Sequence, residues 1–182
     1  MRRLLQLAAI LAALLAFPAI EARAQARLMG VDHNGQSVTA QAPSGWRLVM
    51  FGYAHCPDVC PLGLQTLTET MDRLGPLAER FTPIFVTVDP ARDTPAAMKD
   101  YVSMFHPKLV GITPTPAELD AMAAEWRVKY VKGPVREGGD YAVDHPANIH
   151  LVDPAGRILR RLPHDQPGEV LADRIRAALL SQ

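Results

Sequence analysis

Apolar and polar positions fall in blocks along the chain, and the blocks switch between strand-like runs and helix-like spacing. Leu48-Val49-Met50-Phe51 is an uninterrupted apolar run, so Trp46 to Tyr53 reads as a strand that is central in its sheet. Leu64, Leu67, Met71 and Leu74 follow at helical spacing. They predict a helix from about Pro57 or Pro61 to Leu74, closed by Gly75-Pro76. Phe81 to Val88 is a second apolar strand. Thr94 ahead of Pro95 makes an N-cap followed by a proline at the first helical position, opening a helix over Ala96 to Phe105. Leu109 to Ile112 is a short strand. Thr115-Pro116-Ala117-Glu118 repeats the cap pattern before a helix to about Trp126.

The flanks follow the same logic. Leu28 to Thr39 contains the turn signal Asp32-His33-Asn34-Gly35, which predicts a small N-terminal hairpin. Val128 to Val131 reads as a strand, Gly133 to Asp140 as a polar excursion. Asn148 to Val152 and Arg157 to Leu162, joined by Asp153-Pro154-Ala155-Gly156, read as a second hairpin. Pro167 to Leu180 is a terminal helix with Val170, Leu171, Ile175, Ala178 and Leu179 on its apolar side. The order β-α-β-α-β-α, then a hairpin and a helix, is that of an α/β, thioredoxin-like fold, a central sheet flanked by helices.

Composition changes this picture at one end only. Met1-Arg2-Arg3 precedes an apolar stretch from Leu4 to Ile20, and Ala22-Arg23-Ala24 or Ala24-Gln25-Ala26 offers a small-x-small cleavage site. Residues 1–26 therefore read as a signal peptide or an N-terminal membrane anchor, and residues 27–182 as one exported domain. Charge is balanced at 19 basic and 19 acidic residues over the whole chain, and at 16 and 18 without the first 26. No nucleic-acid partner is implied by that balance, and the membrane is touched only through the N-terminal segment. Sixteen prolines point to many turns and short elements.

The candidate chemistry lies in Gly52-Tyr53-Ala54-His55-Cys56-Pro57-Asp58-Val59-Cys60-Pro61, which holds both of the chain's cysteines. With a helix from Pro57, a spacing of four puts both sulfurs on one face. Two thiols at a strand-to-helix turn can close a disulfide or clamp a soft metal ion. Outside the cytoplasm a disulfide persists, and cysteines four apart in a helix have Cα atoms about 6 Å apart, within bridging distance. A helix N-terminus should also lower the thiol pKa values.

That stretch, then Val88-Asp89-Pro90-Ala91-Arg92-Asp93-Thr94-Pro95, Tyr101-Val102-Ser103-Met104-Phe105-His106-Pro107 and Tyr141-Ala142-Val143-Asp144-His145, closely resembles the Sco/SenC family of copper chaperones for cytochrome c oxidase assembly. The resemblance covers roughly residues 28 to 182. It implies a thioredoxin-like domain facing the periplasm or intermembrane space, with copper held by Cys56, Cys60 and His145. Where the family commonly has a small hydroxyl residue after that histidine, this chain has Pro146, which removes a backbone donor. Two thiolates favour Cu(I), and an added imidazole lets the site hold Cu(II) as well. Asp58 and Asp144 are candidates to support the ligands, Asp144 by taking the other N–H of His145.

The implied partner is the copper-accepting subunit of cytochrome c oxidase, with another periplasmic copper carrier or a thiol reductant beside it. Two competing functions share the fold. One is a thiol–disulfide oxidoreductase acting through a Cys56–Cys60 disulfide; such enzymes mostly space their cysteines by two residues rather than three. The other is a thiol peroxidase, which needs a Thr and Arg near its cysteine, and no such local motif surrounds Cys56. Among other residues, His55 precedes a cysteine but points the opposite way, and His106 ends a helix. His33, His150 and His164 have no partner pattern. Met50, Met71, Met98, Met104 and Met122 fall on predicted core faces. Asp89 to Pro95 reads first as a loop and helix cap near the site, second as a docking surface.

Overall fold

The computed structural model describes residues 25–38 and 45–180. The expected export segment lies almost wholly outside them. Ala26, at its end, is buried, and its N–H donates to the Gly156 carbonyl at 3.0 Å. Among the described residues no helix is long and apolar enough to cross a membrane.

The strands are β1 (Gly30–Asp32), β2 (Ser37–Val38), β3 (Trp46–Gly52), β4 (Phe81–Thr87), β5 (Val110–Thr113), β6 (Val131–Lys132), β7 (Val143–Asp144), β8 (Ile149–Val152) and β9 (Ile158–Leu162). The helices are α1 (Val59–Leu74), α2 (Pro95–Val102), α3 (Pro116–Trp126) and α4 (Gly168–Leu180). Seven strands form one sheet in the order β2-β1-β5-β4-β3-β8-β9, while β6 and β7 pair apart from it. β3, β4 and β5 run parallel, and β8 lies antiparallel against β3. Fully buried β3, with every residue inside, sits near the middle, as its unbroken apolar run requires.

Neighbouring strand residues point to opposite faces, and this fixes the layers. Met50 and Phe85, paired across β3 and β4, face one side. There Met50 meets Gly63 of α1, and Phe85 stacks 5.6 Å from Tyr101 of α2. Phe51 faces the other side, edge-on to Trp126 of α3 at 5.3 Å. α4 packs on α1, its first residue Gly168 seated against Glu69 and Thr70. Thr94 caps α2, and Thr115 with Glu118 closes a capping box on α3, both as the sequence patterns predict.

Several boundaries differ from the sequence expectation. α1 begins at Val59, between the two expected starts at Pro57 and Pro61, so Cys56 lies in the preceding turn and only Cys60 is helical. The α-helix does end at Leu74 with Gly75 as its C-cap, as expected, and a 3-10 turn over Gly75–Arg80 follows it. α2 stops at Val102, where the Ser103 hydroxyl donates to the Asp100 carbonyl at 2.7 Å. Met104, beyond that stop, is 67% exposed and no core residue, whereas Met50, Met71, Met98 and Met122 are buried. Val170 is exposed as well, because the buried stripe of α4 is only Leu171, Ala172, Ile175 and Ala178 wide. The strand expected over Val128 to Val131 shrinks to Val131–Lys132, paired with Val143–Asp144.

Candidate metal centre

The site forms where β3 and β4 end side by side, Gly52 in register with Thr87. Helix N-termini and strand C-termini meet at such an end, which is why sites collect there. After Gly52 the chain turns, with the Cys56 N–H donating to the Tyr53 carbonyl at 3.2 Å. The turn is bolted to the loop after β4 through Asp93, wholly buried. Its carboxylate accepts the Ala54 N–H at 2.9 Å and the Thr87 hydroxyl at 2.6 Å. α1 then carries Cys60 beneath Gly52. No side chain fits between them: a Cβ on Gly52 would stand 2.5 Å from Cys60 Sγ and 2.7 Å from the Phe85 ring.

His145 arrives from the far side, directly after β7. Its Nδ1 lies 2.9 Å from the Val143 carbonyl, an acceptor only, so Nδ1 carries the proton. The lone pair of Nε2 then faces Cys60 Sγ, 3.0 Å away. The Tyr53 ring meets the imidazole edge-on at 5.4 Å. The donor atoms of Cys56, Cys60 and His145 all lie within 4.8 Å of one another. Both cysteines are free thiols and both are buried.

Burial dominates the electrostatics. It pushes the Cys60 thiol well up, against a weaker pull down from the Tyr53 backbone, with Cys56 and Asp93 adding to the rise. The expected lowering by the helix N-terminus is thus overridden for Cys60: removing a thiolate from water costs more than the dipole returns. Burial also pulls His145 down, opposed by its hydrogen bond to Val143. The metal-free pair is therefore a neutral thiol donating to a neutral imidazole. Such a set suits a soft cation, whose charge displaces the thiol proton. Two sulfurs and one nitrogen fit copper.

The two expected supporting carboxylates are elsewhere. Asp58 sits at the N-cap of α1, exposed and making no side-chain cap bond. Asp144 is exposed too, since adjacent strand residues point apart, and the Val143 carbonyl takes the role expected of it. His55 turns its Nδ1 to Asp93 Oδ1 at 3.4 Å and is not among the three donors that meet. His106 Nδ1 accepts the Lys108 N–H at 3.1 Å at the end of the α2 segment. His33 accepts the Gly111 N–H at 3.1 Å. His150 is a core residue, bonded to the Val49 carbonyl at 3.1 Å, and burial pushes its pKa down to about 4.

One group of residues near the site escaped sequence reasoning. Buried Asp89 accepts the Tyr141 hydroxyl at 2.8 Å and a hydrogen bond from Arg92 Nε. Arg92 also reaches the Asp140 carboxylate at 2.7 Å and the Tyr141 carbonyl at 2.9 Å, its guanidinium 3.7 Å over the Tyr141 ring. The only sequence signal was that these residues fall in the ordered blocks around the ligands.

Fold and site together define a thioredoxin-like domain that offers two thiols and an imidazole to a soft metal. The chain belongs to the SCO1/SenC family, whose model matches residues 20–180. It is 42% identical over 130 residues to the mitochondrial SCO1 homolog of Homo sapiens, covering 70% of this chain and 43% of that protein. The chain spans about half the length of the curated relatives it matches. Among solved structures it is similar to Bradyrhizobium japonicum ScoI with copper bound, at 37% identity and TM-score 0.77, covering 85% of this chain and 98% of that one. It is likewise similar to yeast Sco1 with copper bound, at 32% identity and TM-score 0.77, covering 86% and 90%.

Proposed function

We propose that this domain is a copper chaperone that takes up copper through Cys56, Cys60 and His145 and passes it to the copper-accepting subunit of cytochrome c oxidase. The observation that carries the reading is the meeting of three donor atoms within 4.8 Å at the open end of the sheet. Family relatives with copper bound support the choice of metal. Three protein donors leave copper coordinatively open, so an acceptor's thiolates can enter before the chaperone's leave. Two thiolates carry Cu(I), and His145 completes a set for Cu(II). The domain works outside the cytoplasm, with residues 1–26 as export signal or membrane anchor.

Copper titration of the reduced chain tests this. One copper per chain is expected, lost in Cys56→Ser and Cys60→Ser, with His145→Ala keeping Cu(I) but losing tight Cu(II). A reduced chain that takes up no copper, or keeps it in all three variants, overturns the reading. Redox state should gate the site, since a Cys56–Cys60 disulfide removes two donors of three. Stoichiometric copper on a verified disulfide form would sink that part.

The two free, adjacent thiols also favour a second reading as a thiol–disulfide oxidoreductase. Closing the bridge would hand two electrons and two protons to a client disulfide. His145→Ala separates the two: reductase activity survives it, tight Cu(II) binding does not.

A further inference from the structure

His145 is not held in place by the main sheet. It follows β7, a two-residue strand whose only ladder partner is the two-residue β6. The segment between them, residues 133–140, is exposed apart from Gly133. Its backbone bonds, such as Arg136 N–H to the Asp140 carbonyl at 2.7 Å, close the excursion on itself. Buried Tyr141, Val143 and Ala147 pack the arm onto the core. A two-residue strand pair adds little of its own, so the position of His145 within the arm depends on polar anchors as well.

We propose that Arg92 is that positioning residue: it clamps the 140–145 arm so that His145 stands against the cysteines, and so decides whether copper meets three protein donors or two. Arg92 grips the arm in three ways, through the Asp140 carboxylate, the Tyr141 carbonyl and the face of the Tyr141 ring. Lys132 Nζ also lies 3.6 Å from the centroid of that ring. The clamp is anchored from below by Asp89, buried, which takes both Arg92 and the Tyr141 hydroxyl. The next residue along, Asp93, holds the Ala54 N–H in the turn that carries Cys56. Consecutive side chains of one loop thus hold the two halves of the site, Asp93 the thiol turn and Arg92 the imidazole arm. Arginine is required because a planar fork serves a carboxylate and a carbonyl at once, which an ammonium does not.

The inference rests on the copper reading for one of its two measurements, and the other needs no metal. On the metal-free full chain, Arg92→Lys keeps a charge beside Asp89 but loses the fork. Amide hydrogen exchange across residues 140–145 should rise by about tenfold or more, with β3 and α1 unchanged. On the copper-loaded chain the same variant should weaken or lose the nitrogen hyperfine signal of Cu(II). Its Cu(II) affinity should drop roughly 10–100-fold, the range for an outer partner, while Cu(I) binding holds. Arg92→Ala should exaggerate each effect. Arg176→Ala, which frees the Arg73 carbonyl and the Asp173 carboxylate on the α1–α4 flank, should show none. Unchanged exchange over 140–145 in folded Arg92→Lys overturns the proposal, and so does a uniform rise across the whole chain. A wild-type chain that takes no copper fails the functional reading alone, and the exchange measurement still decides the role of Arg92.

Discussion

The thiol half and the imidazole half of the site reach the same point by opposite constructions. Cys60 is built into the core: a fully buried strand, a glycine left bare for the sulfur, and a sixteen-residue helix behind it. His145 hangs on a two-residue strand outside the main sheet and is held by side chains of a neighbouring loop. A core-built donor cannot shift without moving the fold, since packed interiors do not deform continuously. A side-chain-tied donor can move alone. The thiols are the fixed part of the site, and the imidazole is the part tied by side chains.

This contrast is easiest to break at its strong end. Cys60→Ser should weaken copper binding by more than about 100-fold, beyond the range for loss of an outer partner; competition with a copper chelator measures it, and a tenfold loss or less would unseat the cysteine as a ligand.

Buried His150 extends the comparison to pH. His150, inside the sheet, has its pKa pushed down to about 4, so the unfolded chain binds a proton that the folded chain refuses. Stability should be fully present above about pH 6.5 and fall on acidification towards pH 4, by about 3 kcal/mol from this residue. Urea unfolding of His150→Gln across that window should show a correspondingly shallower loss. Equal slopes would mean that His150 is not held neutral by the core.

Gly52→Ala and Asp140→Asn divide the halves directly. The first pushes a methyl into Cys60 and Phe85 and should cost about 1–3 kcal/mol as an overpacked core does, with copper affinity falling alongside. The second loosens only the arm and, at a largely exposed carboxylate, should cost under about 1 kcal/mol while still weakening Cu(II). Denaturant titrations beside copper titrations read both. If stability and affinity fall together in Asp140→Asn, the arm is no more independent than the core.

The same asymmetry decided what the sequence disclosed. The core-built parts were legible because they obey periodicity: the run Leu48 to Phe51, the helical spacing of α1, and the caps at Thr94 and Thr115 all appear where the pattern places them. The three donors were legible through ordered blocks that resemble a family, and the fold does bring them together. The arm was not. A two-residue strand has no period to read, and Arg92 gripping Asp140 and Tyr141 is a contact across 48 residues that no local rule encodes. Asp144 failed for a related reason: nearness in sequence suggested a partner, while strand alternation turned it to solvent. Cys60 failed in sign, because the helix terminus is visible in sequence and the depth of burial is not.

The ends of the seven-strand sheet carry a last consequence. Among the described residues one edge is β2, over Ser37–Val38, and the other is β9, with Arg160 and Arg161 exposed along it and a bulge in its pairing with β8. Short, charged or irregular edges deny an incoming chain a ladder to extend. Among the described residues, neither edge offers a long free ladder for strand addition. Under the proposed function, recognition would fall to side chains at the loop end where the donors lie, with the flanks closed to stray β-pairing.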